Sequence, residues 1–194
     1  MRALLVPLVL LSLAQGSRPA DVPFKIQPID PGASETAAVA DVNRDGRLDI
    51  ISGEHWYQAP AWTKHRFREL GFSNQYIDDF SDLVIDVDAD GSPDVVSVSW
   101  FAKQVAWWRN PGKAGKEGEA WKAAPIHTGF NVEFAVIADL DNDGKAQEIL
   151  AQENGTGQAW YEVKDKAWVA HVVGTTTYGH GIGAGDVNGY KRND

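Results

Sequence analysis

Three segments of the chain carry acidic residues at one spacing, with a glycine between them. They occupy residues 41–49, 86–94 and 139–148, and each follows the pattern D-x-[DN]-x-D-G before a final acid. Side chains at positions 1, 3 and 5 and at the final acid place oxygen atoms around one point, and the glycine allows a tight turn. An all-oxygen donor set without Cys or His favours Ca²⁺ or Mg²⁺ over zinc or copper. We therefore predict a divalent cation in each loop.

The predicted ligands in each loop are the four side chains together with the backbone carbonyl at position 7. They are Asp41, Asn43, Asp45, Arg47 and Asp49 in the first loop; Asp86, Asp88, Asp90, Ser92 and Asp94 in the second; and Asp139, Asp141, Asp143, Lys145 and Glu148 in the third. The third loop has one extra residue, and the longer Glu148 side chain is expected to make up the distance in a looser site. A lone copy of this pattern also occurs as a metal-free turn, but three copies in register favour metal binding.

A fourth copy of the loop, at residues 186–194, is degenerate. Tyr190 stands where the third acidic side chain belongs, and Lys191 replaces the glycine. Two features needed for ligation are lost, and a cationic side chain is added. We expect this loop to bind no metal, which leaves about three structural Ca²⁺ sites.

The loops belong to a longer repeat. Their first acids recur after 45, 53 and 47 residues, near the length of a four-stranded propeller blade. An apolar stretch precedes each complete loop, and a β-branched stretch, an aromatic pair and a run opened by Trp follow it; these are predicted as strands A to D. The sequence thus predicts an all-β fold: a β-propeller with calcium-binding A–B loops, about three complete blades and partial strands at both ends. The repeating Trp residues are predicted to pack between blades.

The N-terminal residues 1–16 are typical of a signal peptide, because a charged residue precedes an apolar run too short to span a bilayer. In the remainder, 17–194, we predict an unpaired strand at about 24–30, blades at about 34–68, 80–128 and 133–174, and a partial blade at 180–194. Such a ring cannot close, so the chain is expected to be a fragment of a longer protein, a frame error or premature stop being the alternative. The expected location is secreted, periplasmic or on the cell surface.

Charge and cysteine content limit the partners. The net charge is −9 and there is no basic run, which argues against nucleic acid, and no segment is predicted to span a membrane. The chain has no cysteine, so outside the cell bound metal would take the place of disulfides. Export also favours Ca²⁺ over Mg²⁺. The open strand edges offer a route to self-association.

The segment at residues 37–51 resembles the FG-GAP/VCBS repeat family, and it is matched again at 136–150 and in part at 183–194. That family includes the integrin α-subunit head and many exported bacterial proteins. The resemblance implies a propeller whose Ca²⁺ ions hold the A–B turns and do no chemistry. The chain lacks a literal Phe-Gly-Gly-Ala-Pro signature. Some exported polysaccharide lyases and aldosulose dehydratases resemble this architecture too, so the fold does not exclude catalysis.

The B–C and D–A connections would lie on the face opposite the metal loops, where a rigid scaffold usually binds its ligand. The ligand-binding candidates are Glu54, Asp78, Asp79, Trp100 and Glu153, and the candidates for catalysis are His55, Glu133 and His180. His65 and His171 share a strand-D position and are predicted to be structural. The first hypothesis is a non-catalytic module that binds a glycan or a protein. The alternative is a sugar-active lyase or dehydratase, and a fragment without activity of its own is a third.

Overall fold

The computed structural model describes residues 22–115, 118–154, 157–176 and 180–194, so the predicted signal peptide lies outside the described residues. The chain divides into two units at Asp30. In the first unit, residues 22–29 are exposed and form no strand, unlike the unpaired strand predicted near 24–30. The second unit, Pro31–Asp194, contains every strand that the structure describes.

Three four-stranded antiparallel sheets follow one another in the second unit, and in each the strands are neighbours in chain order. Sheet I contains β1 (Ala38–Ala40), β2 (Asp49–Ser52), β3 (His55–Gln58) and β4 (Thr63–Arg66). A small hairpin of β5 (Phe72–Ser73) and β6 (Tyr76–Ile77) comes next. Sheet II contains β7 (Ser81–Ile85), β8 (Asp94–Ser99), β9 (Gln104–Arg109) and β10 (Lys122–Thr128). Sheet III contains β11 (Asn131–Ala138), β12 (Glu148–Asn154), β13 (Gln158–Lys164) and β14 (Ala167–Gly174).

The predicted all-β fold with four strands per repeat is confirmed for these three sheets. β2, β8 and β12 begin at the final acid of each loop, and the aromatic pairs lie in β3, β9 and β13. The partial blade predicted at 180–194 differs from the three sheets, because its residues 181–185 form no strand. In the described part of the chain the sheets do not close into a ring, and the one helical segment is a 3-10 turn at Gly112–Ala114. None of the described segments is a helix long and apolar enough to cross a bilayer.

The core lies between successive sheets. β1 packs against β7, and β11 packs against both β7 and β8. Ile51, Phe67, Val95 and Trp121 form the core between sheets I and II, and Val96, Val132, Ile149 and Tyr161 belong to the larger core between sheets II and III. The predicted packing of the repeating Trp side chains between sheets is confirmed for Trp56, Trp107, Trp108, Trp121 and Trp168.

A buried charge cluster joins sheet I to sheet II. Arg68 is fully buried, and its Nη2 donates to Asp79 at 2.9 Å and to Asp82 at 2.8 Å. Its Nε donates to the Gly53 carbonyl at 2.8 Å. Burial, reinforced by the Asp82 carboxylate, raises the pKa of Asp79 to about 8 although Arg68 opposes the rise. Burial also raises the pKa of Asp82, although Arg68 opposes that rise as well. The buried Asp79–Asp82 pair therefore holds a proton more readily than exposed acids do.

Candidate functional site

The first acid of each loop organises the turn. Its two carboxylate oxygens accept the backbone N–H groups at positions 5 and 6. The distances are 2.9 and 2.8 Å at Asp41, 3.1 and 2.9 Å at Asp86, 3.0 and 2.9 Å at Asp139, and 3.0 and 2.7 Å at Asp186. Position 6 has a positive φ, +88° at Gly46 and +83° at Gly91, which explains the preference for glycine there.

The final acid of each loop closes the turn by accepting the N–H at position 2. The donor–acceptor pairs and their distances are Val42 with Asp49 at 3.0 Å, Val87 with Asp94 at 3.1 Å, Leu140 with Glu148 at 2.8 Å and Val187 with Asp194 at 3.2 Å. We call these contacts, with those of the first acid, the loop frame. Asp49 and Asp94 are fully buried, and each accepts a second N–H from the end of the third strand of its sheet, Ala59 at 2.9 Å and Asn110 at 2.7 Å.

The electrostatics of the loops favour a bound cation. Burial raises the pKa of Asp94 to about 6, and it also raises the pKa values of Asp49 and Glu148, where the other acids of the loop add to the rise. These side chains therefore lie in an environment that opposes negative charge. A cation between the acids would counteract that effect.

The donor atoms of two loops converge within the range of one ion. One oxygen from each of Asp86, Asp88 and Asp94 lies within 4.8 Å of the others, and the same holds for Asp139, Asp141 and Glu148. In the first loop Asn43 takes the place of the second carboxylate, and its Nδ2 donates to Asp45 at 3.2 Å. These all-oxygen sets fit a hard divalent cation.

Position 7 contributes its N–H to the loop. Arg47, Ser92 and Lys145 donate to the position-5 carboxylate at 3.0, 2.8 and 2.8 Å. This bond is the main cause of the lowered pKa of Asp90. The position-5 acid is thereby fixed in the turn, and the ligand role of the position-7 carbonyls stays a prediction.

Arg109 contacts the second loop, and the sequence analysis did not predict this contact. Its Nε donates to Asp88 at 2.5 Å, and its Nη2 lies 3.4 Å from Asp90. Arg109 ends β9, directly after the aromatic pair, at the same end of the sheet as the loop. A cation in this loop would lie beside a guanidinium group. The position of Arg109 directly after the aromatic pair is the sequence feature from which its place near the loop could have been predicted.

The degenerate fourth loop keeps the loop frame. Asp186 and Asp194 make the same contacts as their counterparts, although Lys191 holds position 6 at a φ of +61°. The frame depends on the first and final acids, and both are retained. What is lost is the position-5 carboxylate, so the expectation that this loop binds no metal stays a prediction.

The loops share one end of the sheets. Asn110 Nδ2 donates to the Val42 carbonyl at 3.0 Å, which links the end of β9 to the first loop. Asn193 Nδ2 donates to the Asp139 carbonyl at 2.8 Å, which links the fourth loop to the third. In each antiparallel sheet the turn between the second and third strands therefore lies at the opposite end.

A cleft lies at this opposite end. It has a volume of about 220 Å³ and is lined by Tyr76, Phe80, Trp100, Phe101, Glu133 and His180. His180 Nδ1 is hydrogen-bonded to Glu133 Oε2, and the His180 ring stacks on Trp100 with centroids 6.1 Å apart. The pairing of β11 with β12 shifts between Val132 and Phe134, which makes Glu133 the extra residue of a β-bulge. Such bulges redirect a side chain out of the regular alternation.

Of the predicted opposite-face residues, the structure brings Trp100, Glu133 and His180 together. Asp78 instead accepts the N–H groups of Phe101 and Ala102 at 3.0 and 2.7 Å. Asp79 is fully buried beside Arg68, so neither acid is available to a ligand.

The remaining predicted residues also lie outside the cleft lining. Glu153 is buried and accepts the Tyr161 hydroxyl, and Glu54 accepts the Leu70 N–H at 2.9 Å. His55 opens β3 and is not among the lining residues. The predicted grouping of His55 with Glu133 and His180 is therefore not seen.

His65 and His171 have the structural role that their shared position predicts. His65 stacks on Trp56 at 4.3 Å, and His171 stacks on Trp160 at 3.9 Å. Nε2 of each ring bonds the residue at the same register of the third strand, Gln58 at 3.2 Å and Glu162 at 2.5 Å. Both rings support the cross-strand packing of their sheets.

Comparison with known families identifies the central part of the chain. Residues 86–151 match the model described as the FG-GAP-like repeat. This span begins at the first acid of the second loop, includes the third loop and ends in β12. The comparisons with curated proteins and with solved structures gave no match. The chain thus carries an FG-GAP-like repeat, and the predicted relation to the FG-GAP/VCBS type of repeat family is confirmed.

Proposed function

We propose that this chain is an exported, Ca²⁺-binding β-propeller repeat protein that acts as a non-catalytic binding module. The observation that carries the proposal is the loop frame, which occurs in the three loops at one end of successive sheets and again in the fourth loop at residues 186–194. Three of these loops also have side-chain oxygens at both positions 3 and 5 that could bind a metal ion and that the frame itself does not need. The presence of these additional oxygens is explained if the loops bind a cation.

The arrangement of the sheets supports the propeller. Each of the three complete loops joins the first strand of a sheet to the second, and the first strands β1, β7 and β11 pack in succession. In a propeller the blades are four-stranded sheets that surround a central channel in the same way. The proposal assigns each of the three described sheets to one blade.

In this proposal Ca²⁺ supplies charge neutralisation and cross-linking, without chemistry of its own. The first acid of each loop holds the turn, the final acid ties the turn to the sheet, and the acids at positions 3 and 5 contribute further oxygens. The absence of cysteine and the N-terminal sequence, which is typical of a signal peptide, support a location outside the cytoplasm. There, metal would take over the role that disulfides have in other exported proteins.

The opposite end is the proposed binding face for a glycan or a protein. Its turns are fixed by internal contacts, and its cleft exposes aromatic rings. The contact between His180 and Glu133 favours a second candidate, a sugar-active lyase or dehydratase, because a paired imidazole and carboxylate can move a proton. Product analysis on polysaccharides separates the two candidates. Turnover that is abolished in both Glu133→Gln and His180→Asn would establish the enzyme.

Thermal unfolding of the full chain in Ca²⁺, in Mg²⁺ and in chelator tests the proposed function. A ligand at a hundred times its Kd stabilises the folded state by about 2.7 kcal/mol per site. The melting temperature should therefore rise by many degrees in Ca²⁺. Asp88→Asn should reduce this rise, whereas Asp165→Asn, in the exposed turn between β13 and β14, should leave it unchanged. An identical melting temperature in Ca²⁺ and in chelator would refute the proposal.

A further inference from the structure

The cleft opposite the loops is held in shape before any ligand binds. Trp100 and Phe101 belong to the turn between β8 and β9, and this turn is fixed from two sides. Asn131 Nδ2 donates to the Trp100 carbonyl at 2.6 Å, and Asp78 accepts the N–H groups of Phe101 and Ala102. A binding surface that is already ordered loses less conformational entropy when its ligand arrives.

Aromatic side chains dominate the lining of the cleft. Tyr76 and Phe101 are 56% and 39% exposed, and the Phe80 and Phe101 rings lie 6.1 Å apart at 60°. Single exposed apolar side chains are ordinary, but several adjoining rings in a concave surface mark a site of interaction. The faces of such rings attract C–H groups as well as other rings.

The polar part of the cleft is the hydrogen-bonded pair of Glu133 and His180. With Nδ1–H donating to Glu133, the neutral imidazole offers Nε2 as an acceptor, beside the second oxygen of the carboxylate. A carboxylate alone in an aromatic cage would suit a cation. Here the imidazole is bonded to the carboxylate and also stacks on Trp100, so the pair suits neighbouring hydroxyl groups that donate hydrogen bonds to it.

The cleft is small and open to solvent, so it can hold one ring of a ligand while the rest of the ligand extends outside it. Its volume of about 220 Å³ is below the range of about 300–1,000 Å³ that is typical of drug-sized ligands. A sugar ring combines an apolar C–H face with hydroxyl groups at its rim, which matches the lining described above. We infer that the cleft of Tyr76, Phe80, Trp100, Phe101, Glu133 and His180 binds one neutral sugar ring, such as the terminal residue of a glycan. This inference rests on the proposed role of the opposite end as a binding face.

The test is calorimetric titration of the full chain, in saturating Ca²⁺, with methyl glycosides of glucose, galactose, mannose and N-acetylglucosamine. At least one glycoside should bind. Trp100→Ala and Glu133→Gln should each weaken binding about tenfold or more, which is the loss expected for one good contact to a charged or aromatic group. Phe72→Ala and Glu69→Gln are the matched controls, because both residues are exposed and outside the cleft, and binding should be unchanged.

The melting temperature in Ca²⁺ is recorded for every variant, so that loss of binding is separated from loss of folding. If the chain responds to Ca²⁺ but binds none of the glycosides, the inference is overturned while the calcium-binding role stands. Binding of tetramethylammonium in place of the glycosides also overturns it. If a glycoside binds through Trp100 and Glu133 and is converted to product, the inference holds and the non-catalytic role fails.

Discussion

Asp194 accepts a hydrogen bond from the backbone N–H of Val187 at 3.2 Å, although the loop between them lacks both a central carboxylate and the usual glycine. The corresponding bond in the first loop, from Val42 to Asp49, is 3.0 Å long. The frame of the loop therefore needs only its first and final acids. The frame does not need the acids at positions 3 and 5, and cation binding is the role we propose for them.

This division of roles predicts different effects for two acids of the second loop. Asp94 is fully buried and accepts two backbone N–H groups, so Asp94→Asn leaves one of them without an acceptor. The free energy of unfolding should fall by about 1–3 kcal/mol even in chelator. Asp88→Asn should change stability in chelator by less than about 1 kcal/mol, because it removes only an exposed ion pair with Arg109. Urea denaturation with and without Ca²⁺ measures both effects. If the two variants lost the same free energy of unfolding in chelator, the proposed difference in role between the final acid and the position-3 acid would be contradicted.

The fourth loop can be converted into a cation site. Tyr190→Asp/Lys191→Gly restores the missing carboxylate and places glycine where φ is +61°. Because the frame is already folded, the double variant should bind one more Ca²⁺ than the wild type in a calorimetric titration. Lys191→Gly alone restores no ligand and serves as the control. An unchanged stoichiometry in the double variant would mean that the frame does not suffice to position the ligands.

The Arg109 guanidinium should weaken Ca²⁺ binding to the second loop. It contacts Asp88 and lies near Asp90, so a bound ion would face a positive charge at short range. Arg109→Gln is expected to raise the Ca²⁺ affinity of this loop about 3- to 10-fold at low ionic strength, less at high salt. Lys25→Gln, a charge-matched change at an exposed residue outside the sheets, controls for net charge. A lower affinity in Arg109→Gln would show that the guanidinium organises the loop for the ion.

Stability should depend on pH through Asp79. Burial raises its pKa from 3.8 to about 8, so the folded chain holds a proton that the unfolded chain releases between these values. This contribution is complete below pH 3.8 and is lost as the pH rises to about 8, with a slope of about 1.4 kcal/mol per pH unit. Asp79→Asn mimics the protonated side chain and should reduce this slope in denaturation measured from pH 5 to pH 8 in saturating Ca²⁺, leaving only the contribution of Asp82, whose pKa burial also raises. Asp165→Asn should keep the wild-type slope, and a wild-type slope in Asp79→Asn would contradict the assignment of the proton.

Local sequence patterns were enough to predict the sheets. The acidic loop, the β-branched stretch after it and the aromatic pair are each local signals, and their repetition places four strands around each complete loop. The last loop shows the limit of this reasoning. Its frame depends on two acids that the degenerate copy retains, whereas the sequence comparison gave equal weight to Tyr190 and Lys191.

The interior contacts and the cleft could not be predicted in the same way. Asp78 and Asp79 adjoin in sequence and looked alike, but one caps the turn after Trp100 and the other is buried beside Arg68. Their partners come from other elements, so no local pattern distinguishes the two roles. Glu133 reaches the cleft because a bulge interrupts β11, and a one-residue shift in strand pairing leaves no clear mark in the sequence.

The most direct test of the account is calorimetric counting of Ca²⁺ sites on the metal-free full chain. About three sites are predicted, one in each loop that has acids or an amide at positions 1, 3 and 5 and a final acid. Asp86→Ala/Asp88→Ala in the second loop should remove one of them and leave the others. A chain that is folded by circular dichroism and binds no Ca²⁺ would contradict the account, because the acids at positions 3 and 5 would then serve only the internal hydrogen bonds and ion pairs of the loops.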